Sequence, residues 1–167
     1  MSESEYQTVV QLLPRLRRFA YGLCGSMEAA EDLVQEACTR LLASAGDKEG
    51  YLDRWLFRTI RNLHVDGLRS RQVSERYRHR LVQAENDQRV GSRHTEASIE
   101  LDEVRALMQQ LPPEQREVLL LIGVEGFSYR ECSRMLDLPI GTVTSRVARA
   151  RRQLVRWMTS DPKDDEP

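Results

Sequence analysis

The side chains in this sequence best equipped for chemistry are arginines at helical spacing. Arg146, Arg149, Arg152 and Arg156 fall three or four residues apart, beside Thr144 and Ser145, so a helix would present them together. A guanidinium is a planar fork that pairs with guanine O6 and N7 or with phosphate oxygens. Arg54, Arg58 and Arg61 repeat the spacing earlier in the chain, with Arg69 and Arg71 just beyond them. This is the chemistry of holding a polyanion, not of making or breaking bonds. No catalytic set competes with it. Asp32 and Glu36 lie close together but have no histidine at ligand or proton-transfer spacing. His64, His79 and His94 share no spacing that suggests a metal site, and neither do Cys24, Cys38 and Cys132. The expectation is a binding protein with no catalytic residue, no metal and no cofactor.

The 167 residues carry a formal net charge of −1, which conceals strong segregation. Residues 54–82 hold 8 basic and 2 acidic groups and residues 128–157 hold 7 and 2, whereas residues 1–53, 83–127 and 158–167 are net −4, −5 and −3. Two cationic blocks divided by an acidic stretch fit two contacts with one polyanion. Solvated helix faces would give the same pattern with no partner at all. With 40% hydrophobic, 31% charged and 6% aromatic residues, the chain can build a helix-rich core. No apolar run approaches the roughly 18–20 residues of a bilayer span. The acidic start, Ser2-Glu3-Ser4-Glu5, is unlike a secretion signal, and isolated cysteines suit a reducing compartment. A cytoplasmic chain without membrane insertion is expected.

The elements that must position the arginines are all helical. From Tyr6 to Leu23, the residues Val9, Val10, Leu13, Leu16, Ala20 and Leu23 form one apolar stripe. Ser26 is placed to cap a second helix with Ala30, Leu33, Val34, Ala37, Cys38, Leu41 and Leu42 on its apolar side. The opposite side carries Glu31, Asp32, Gln35, Glu36 and Arg40. A third helix from about Asp53 buries Leu52, Trp55, Leu56, Ile60 and Leu63, and continues or bends at Gly67. These make one bundle over residues 5–72. Residues 73–97 lack a sustained apolar stripe and are read as a flexible linker, though Glu75 to Ala84 could be locally helical. A second small domain spans 98–157, followed by an acidic tail, 158–167.

Within that second domain Leu101, Val104, Leu107, Met108 and Leu111 form a stripe ending before Pro112, and Pro113 suits a helix start. A strongly apolar helix runs from Glu114 to Val124 and is stopped by Gly126. Ser128 with Glu131 is a capping-box pair opening a short helix to about Leu136. After the turn Asp137-Leu138-Pro139-Ile140-Gly141, Thr142 would cap a last helix with Val143, Val147, Ala150, Leu154 and Trp157 inward. A short helix, a tight turn and an arginine-studded helix make a helix-turn-helix, whose second helix enters a major groove. A basic helical hairpin with no DNA partner is the alternative.

Three segments, AEDLVQEACTRLL (Ala30–Leu42), RWLFRTIRNLHVDGLRSR (Arg54–Arg71) and LPPEQREVLLLIGVEGFSYRECSRMLDLPIGTVTSRVARARRQL (Leu111–Leu154), resemble the bacterial extracytoplasmic-function (ECF) sigma factors. They stand in the family's order and cover almost all of the chain outside the linker and termini. The resemblance implies an all-α protein with sigma region 2 at 5–72 and region 4 at 98–157. It implies an alternative sigma factor that binds core RNA polymerase and directs initiation at chosen promoters, with an anti-sigma factor as a further partner. Asp32, Gln35 and Glu36 match the motif that docks on the β′ clamp helices. Asn62 matches the position that helps capture an unstacked −10 base, beside the loop Ala45–Tyr51, and asparagine offers both donor and acceptor to a base edge. Arg54, Arg58, Arg61, Arg69 and Arg71 would hold phosphates nearby. Thr144, Ser145, Arg146 and Arg149 match positions facing the −35 element. Arg151 and Arg152 fall to phosphate or to the polymerase β flap, which the apolar surface of this domain would also grip.

Some positions depart from the family pattern. Thr144 replaces a usual Lys or Arg, Ala148 a usual His or Phe, Asp137 the turn glycine, and Cys132-Ser133 the usual Ile-Ala. Trp55 and Phe57 invite a base-stacking role, but Trp55 belongs to the apolar stripe and is expected in the core. A sigma-like decoy that occupies an anti-sigma factor without touching DNA is the rival from another class, and a one-component regulator has no room for a ligand domain.

Overall fold

A computed structural model of the chain describes residues 3–44, 50–78 and 104–159. Outside the described residues lie most of the loop beside Asn62 (45–49), the connector from 79, Leu101, and the tail from 160. The described residues are helical, without a strand, in two units. The first contains α1 (Glu3–Cys24), α2 (Met27–Ala43) and α3 (Leu52–Arg78). The second contains α4 (104–110), α5 (Pro113–Leu119) with a wider π-helical turn (Leu120–Val124), α6 (Tyr129–Leu136) and α7 (Ile140–Thr159).

The local signals act as their chemistry requires. Ser26 accepts the Ala29 N–H and starts α2. Proline at the first position of α5 loses no hydrogen bond there. Ser128 and Glu131 exchange both bonds of a capping box. Asp137 ends α6 in the left-handed region, at φ 53° and ψ 49°, which aspartate tolerates where most residues would not. The last helix begins at Ile140 and Thr142 does not cap it: the Pro139 carbonyl accepts the Thr142 and Val143 N–H groups, so Thr142 lies inside the first turn. Of the two courses open at Gly67, α3 continues as helix. It runs on to Arg78, into the stretch expected to be linker, because no proline or further glycine interrupts residues 68–78.

The α1 stripe is rotated from expectation. Leu12, Leu16, Phe19, Ala20 and Leu23 are buried, while Val10 is exposed and Val9 and Leu13 are half-buried. Phe57 is fully buried, which removes it from any stacking role, and Trp55 packs partly buried against the same core. The second unit buries Met108, Leu111, Val118 to Leu121, Phe127, Cys132, Met135, Leu136, Val143, Val147 and Ala150.

These are not two separate cores. One continuous cluster of buried side chains runs through both units. Its seam is an aromatic row: Phe19 meets Phe57 and Phe57 meets Phe127, each edge-to-face at 5.1 Å between ring centroids. The Leu120 side chain also lies directly against the α1 backbone, since a Cβ on Gly22 would sit 2.7 Å from one of its methyls. The turn ending at Gly126 (φ +79°) brings both Glu125 and Phe127 into this seam. Replacing Phe57 by alanine removes the middle ring from a fully buried position. The expected cost is about 3–5 kcal/mol of folding free energy, read as a fall in the urea midpoint.

Candidate nucleic-acid interface

α7 presents the proposed reading surface. Val143, Val147 and Ala150 face inward, while Thr144, Ser145, Arg149 and Arg152 are exposed on the other side. The hydroxyls of Thr144 and Ser145 donate back to the carbonyls of Ile140 and Thr142, and Arg152 Nε donates to the Ala148 carbonyl. The helix is held against α5 and α6 by its apolar stripe, with Cys132 wholly buried at the crossing. That burial, with the nearby Glu117 carboxylate, pushes the Cys132 thiol up to about 12. The serine of Cys132-Ser133 is satisfied locally, its hydroxyl donating to the Leu138 carbonyl at 2.5 Å.

Arg146 stands apart from its neighbours on α7. Its Nη1 lies 3.6 Å from Glu117 Oε1, and its side chain is only 24% exposed. The same carboxylate is held by Arg61 of the first unit, with Nε 2.7 Å from Oε2 and Nη2 3.2 Å from Oε1. One residue from each expected DNA-binding set therefore converges on one glutamate, whose side chain is 4% exposed.

On α3, Asn62 is exposed and accepts from Arg61 Nη1 at 3.2 Å. Arg58, Arg69 and Arg71 are exposed as well, with Arg69 3.9 Å from Asp66. Arg54 is drawn the other way: its Nη2 donates to Glu131 Oε1 at 2.7 Å, so the capping-box glutamate also pins the first unit. The six expected −10 residues share one helix, but two of them point into ion pairs with the second unit.

Asp32, Gln35 and Glu36 lie together on the exposed side of α2. Glu36 is paired on the surface with Arg40, Nε to Oε1 2.8 Å. Asp32 and Glu36 also border a cavity of about 480 Å³ between α2, α3 and the α4–α5 corner.

Several residues that organise this surface escaped the sequence reading. Glu125, whose side chain is 0% exposed, accepts from Arg15 Nε at 3.0 Å and from both Nε and Nη2 of Arg18 at 3.0 and 3.1 Å. Arg15 Nη2 also donates to the Glu125 carbonyl, and its guanidinium lies 5.4 Å from the Phe57 ring centroid. Arg116 is buried and donates to the carbonyls of Leu23, Gln109 and Leu111 and to Gln109 Oε1. The available signal was a charge inside an apolar run, such as Glu117 before Val118-Leu119-Leu120-Leu121-Ile122 and Glu125 after Val124.

The comparisons with known proteins match both units of the chain. Residues 8–73 match the family described as Sigma-70 region 2, and residues 101–154 the one described as Sigma-70, region 4. The ECF RNA polymerase sigma factor EcfG of Rhodopseudomonas palustris is 34% identical over 171 residues, covering 99% of this chain and 91% of the relative. The ECF RNA polymerase sigma factor SigM of Mycobacterium tuberculosis is 32% identical over 146 residues, covering 86% of this chain and 71% of the relative. Among solved structures, the sigma factor RpoE in complex with the anti-sigma factor NepR from Bartonella quintana superposes with a TM-score of 0.78 at 30% identity, over 96% of this chain and 99% of that one. The PhyR–NepR complex from Sphingomonas shares the fold at 20% identity and a TM-score of 0.65, over 100% of this chain and 98% of that one. No helix among the described residues is long and apolar enough to cross a membrane.

Glu131 gives this site a pH signature. Hydrogen bonds from the Ser128 N–H and hydroxyl, then the Arg54 charge, lower its pKa from 4.5. A lowered folded value means that its stabilisation is complete above the unfolded value and is lost as pH falls through the folded one. Glu131→Gln should therefore lose less stability than the wild type on acidification below about pH 4.5, measured by thermal unfolding across that range.

Proposed function

The chain belongs to the extracytoplasmic-function sigma factors of the sigma-70 family, and from that premise we propose how its surfaces divide the work of initiation. The exposed Asp32, Gln35 and Glu36 on α2 dock on the β′ clamp helices of core polymerase. The apolar outer surface of the second unit, with Arg151, meets the β flap. α7 reads the −35 duplex with Thr144, Ser145, Arg146 and Arg149, and Arg152 holds phosphate. On α3, Asn62 takes an unstacked −10 base while Arg54, Arg58, Arg61, Arg69 and Arg71 hold the backbone around it. Extruding a base costs a few kcal/mol, which the nearby cations and the base pocket must offset. Bond-making in RNA synthesis belongs to the polymerase, and the chain works in the cytoplasm.

The observation that carries this reading is the capped, left-handed turn at Asp137 feeding a helix whose outer side keeps Thr144, Ser145, Arg149 and Arg152 exposed together. A decoy that met only an anti-sigma factor would not require that side to stay basic. Control by an anti-sigma factor is part of the proposal. It is supported by the likeness, at 30% identity, to a sigma factor solved with one bound.

Run-off transcription with purified core polymerase and genomic templates is the test. Defined start sites should appear only when the chain is present. Transcription absent on every template, with anti-sigma binding retained, would select the decoy. Asp32→Lys with Glu36→Lys should abolish core binding while leaving the helix content unchanged. Arg149→Ala should cost about 1–3 kcal/mol at a single −35 base pair. Equal loss on scrambled −35 DNA would make Arg149 a phosphate contact instead.

A further inference from the structure

We propose that the cavity between α2, α3 and the α4–α5 corner is a binding site for a small organic anion, a carboxylate or phosphate monoester carried on an apolar body. No residue of α7 lines it, so the site is separate from the −35 reading surface.

The cavity has room and keeps it. Its volume of about 480 Å³ falls within the roughly 300–1,000 Å³ of small-molecule pockets. Leu33 on α2 and Leu63 and Leu68 on α3 give it apolar walls. Gly67 completes the α3 wall from inside a long helix, where glycine costs stability relative to alanine. Packing does not demand a glycine there, since a Cβ at this position would meet nothing within 4 Å. Open space against a cavity wall is what the body of a ligand would fill.

The charge inside is positive and lacks a counter-ion. Arg116, 9% exposed, spends its Nη groups on the carbonyls of Leu23, Gln109 and Leu111 and on Gln109 Oε1, all of them neutral. Its buried Nε has no hydrogen-bond partner among the described residues. Arg71 borders the same space from α3 and makes no ion pair among the described residues. The other titratable groups do not offset these two. Burial pushes the Cys24 thiol up, and its Sγ donates to the Ser26 carbonyl at 3.2 Å, so Cys24 brings no negative charge. Burial, then the Arg116 and Arg71 charges, pushes His64 down from 6.5, so it is neutral near neutral pH. The carboxylates on the lining are Asp32 and Glu36 of α2, both exposed, and Glu36 already pairs with Arg40. An anionic head therefore belongs beside Arg71 and Arg116, with its body along Leu33, Leu63 and Gly67.

Titration calorimetry on the full-length chain tests this with probes that share one ring: benzoate, phenyl phosphate, benzyl alcohol and benzylammonium. The two anions should bind, and the neutral and cationic probes should not. The tighter of benzoate and phenyl phosphate identifies the headgroup. Gly67→Leu fills the cavity without a clash at its Cβ, and should abolish binding while the urea midpoint is kept or raised. Arg71→Gln should weaken binding several-fold. The His64 ring reports the same event by NMR: its titration midpoint should rise when a bound anion offsets the guanidinium charge beside it. No binding by either anion, or binding of benzylammonium instead, would overturn the site. So would anion binding that survives Gly67→Leu, that ignores Arg71→Gln, or that leaves the His64 midpoint unmoved.

Discussion

A carboxylate with no route to water depends on the cations that surround it, and the described structure is organised around two of these. Glu125 and Glu117 sit at the seam between the units with side chains 0% and 4% exposed. Transferring such groups from water costs several kcal/mol each, repaid only if the opposing charges are well placed. Here the charges come from across the seam: Arg15 and Arg18 on α1, Arg61 on α3. The pairs therefore do more to specify how the units meet than to hold either unit together. Apolar contact does the latter, through the single cluster that runs from Leu16 and Phe19 through Phe57 to Phe127 and Val147.

Aromatic and ionic contacts reinforce one another at this place. The Arg15 guanidinium that clasps Glu125 also lies 5.4 Å from the Phe57 ring centroid and 6.0 Å from that of Phe127. Loss of the clasp leaves a bare buried charge beside a packed ring row, so local damage should be felt across the seam. Arg116 adds a second fastening of different chemistry. Its Nη1 and Nη2 donate to carbonyls, including that of Leu23 in α1, while its buried Nε has no hydrogen-bond partner among the described residues.

Much of this was legible in the sequence because local rules decided it. The Ser128–Glu131 box, the Ser26 cap, Pro113 at a helix start and the Asp137 turn are set by neighbours a few residues away, and each forms as expected. The inward stripe of α7 follows from period alone. The cap of that helix lies three residues before the expected Thr142, because Pro139 supplies the first accepting carbonyl. Phe57 cannot be told from an exposed aromatic by period, which gives the stripe to Trp55, because Phe57 meets partners from α1 and from 70 residues further on. The glutamate pairs were invisible for the same reason. Charge counting shows that acidic and basic blocks alternate, but not that Glu117 belongs to Arg61 or Glu125 to Arg18. That pairing is decided by tertiary packing between distant segments.

The account turns on buried carboxylates at the seam that are held by cations from the other unit. The most direct measurement is a double-mutant cycle by urea unfolding on Glu125 and Arg18, with Glu125→Gln, Arg18→Gln and both together. A coupling of about 1 kcal/mol or more, with the double variant losing less than the sum of the single ones, is the predicted result. Losses that simply add would contradict it.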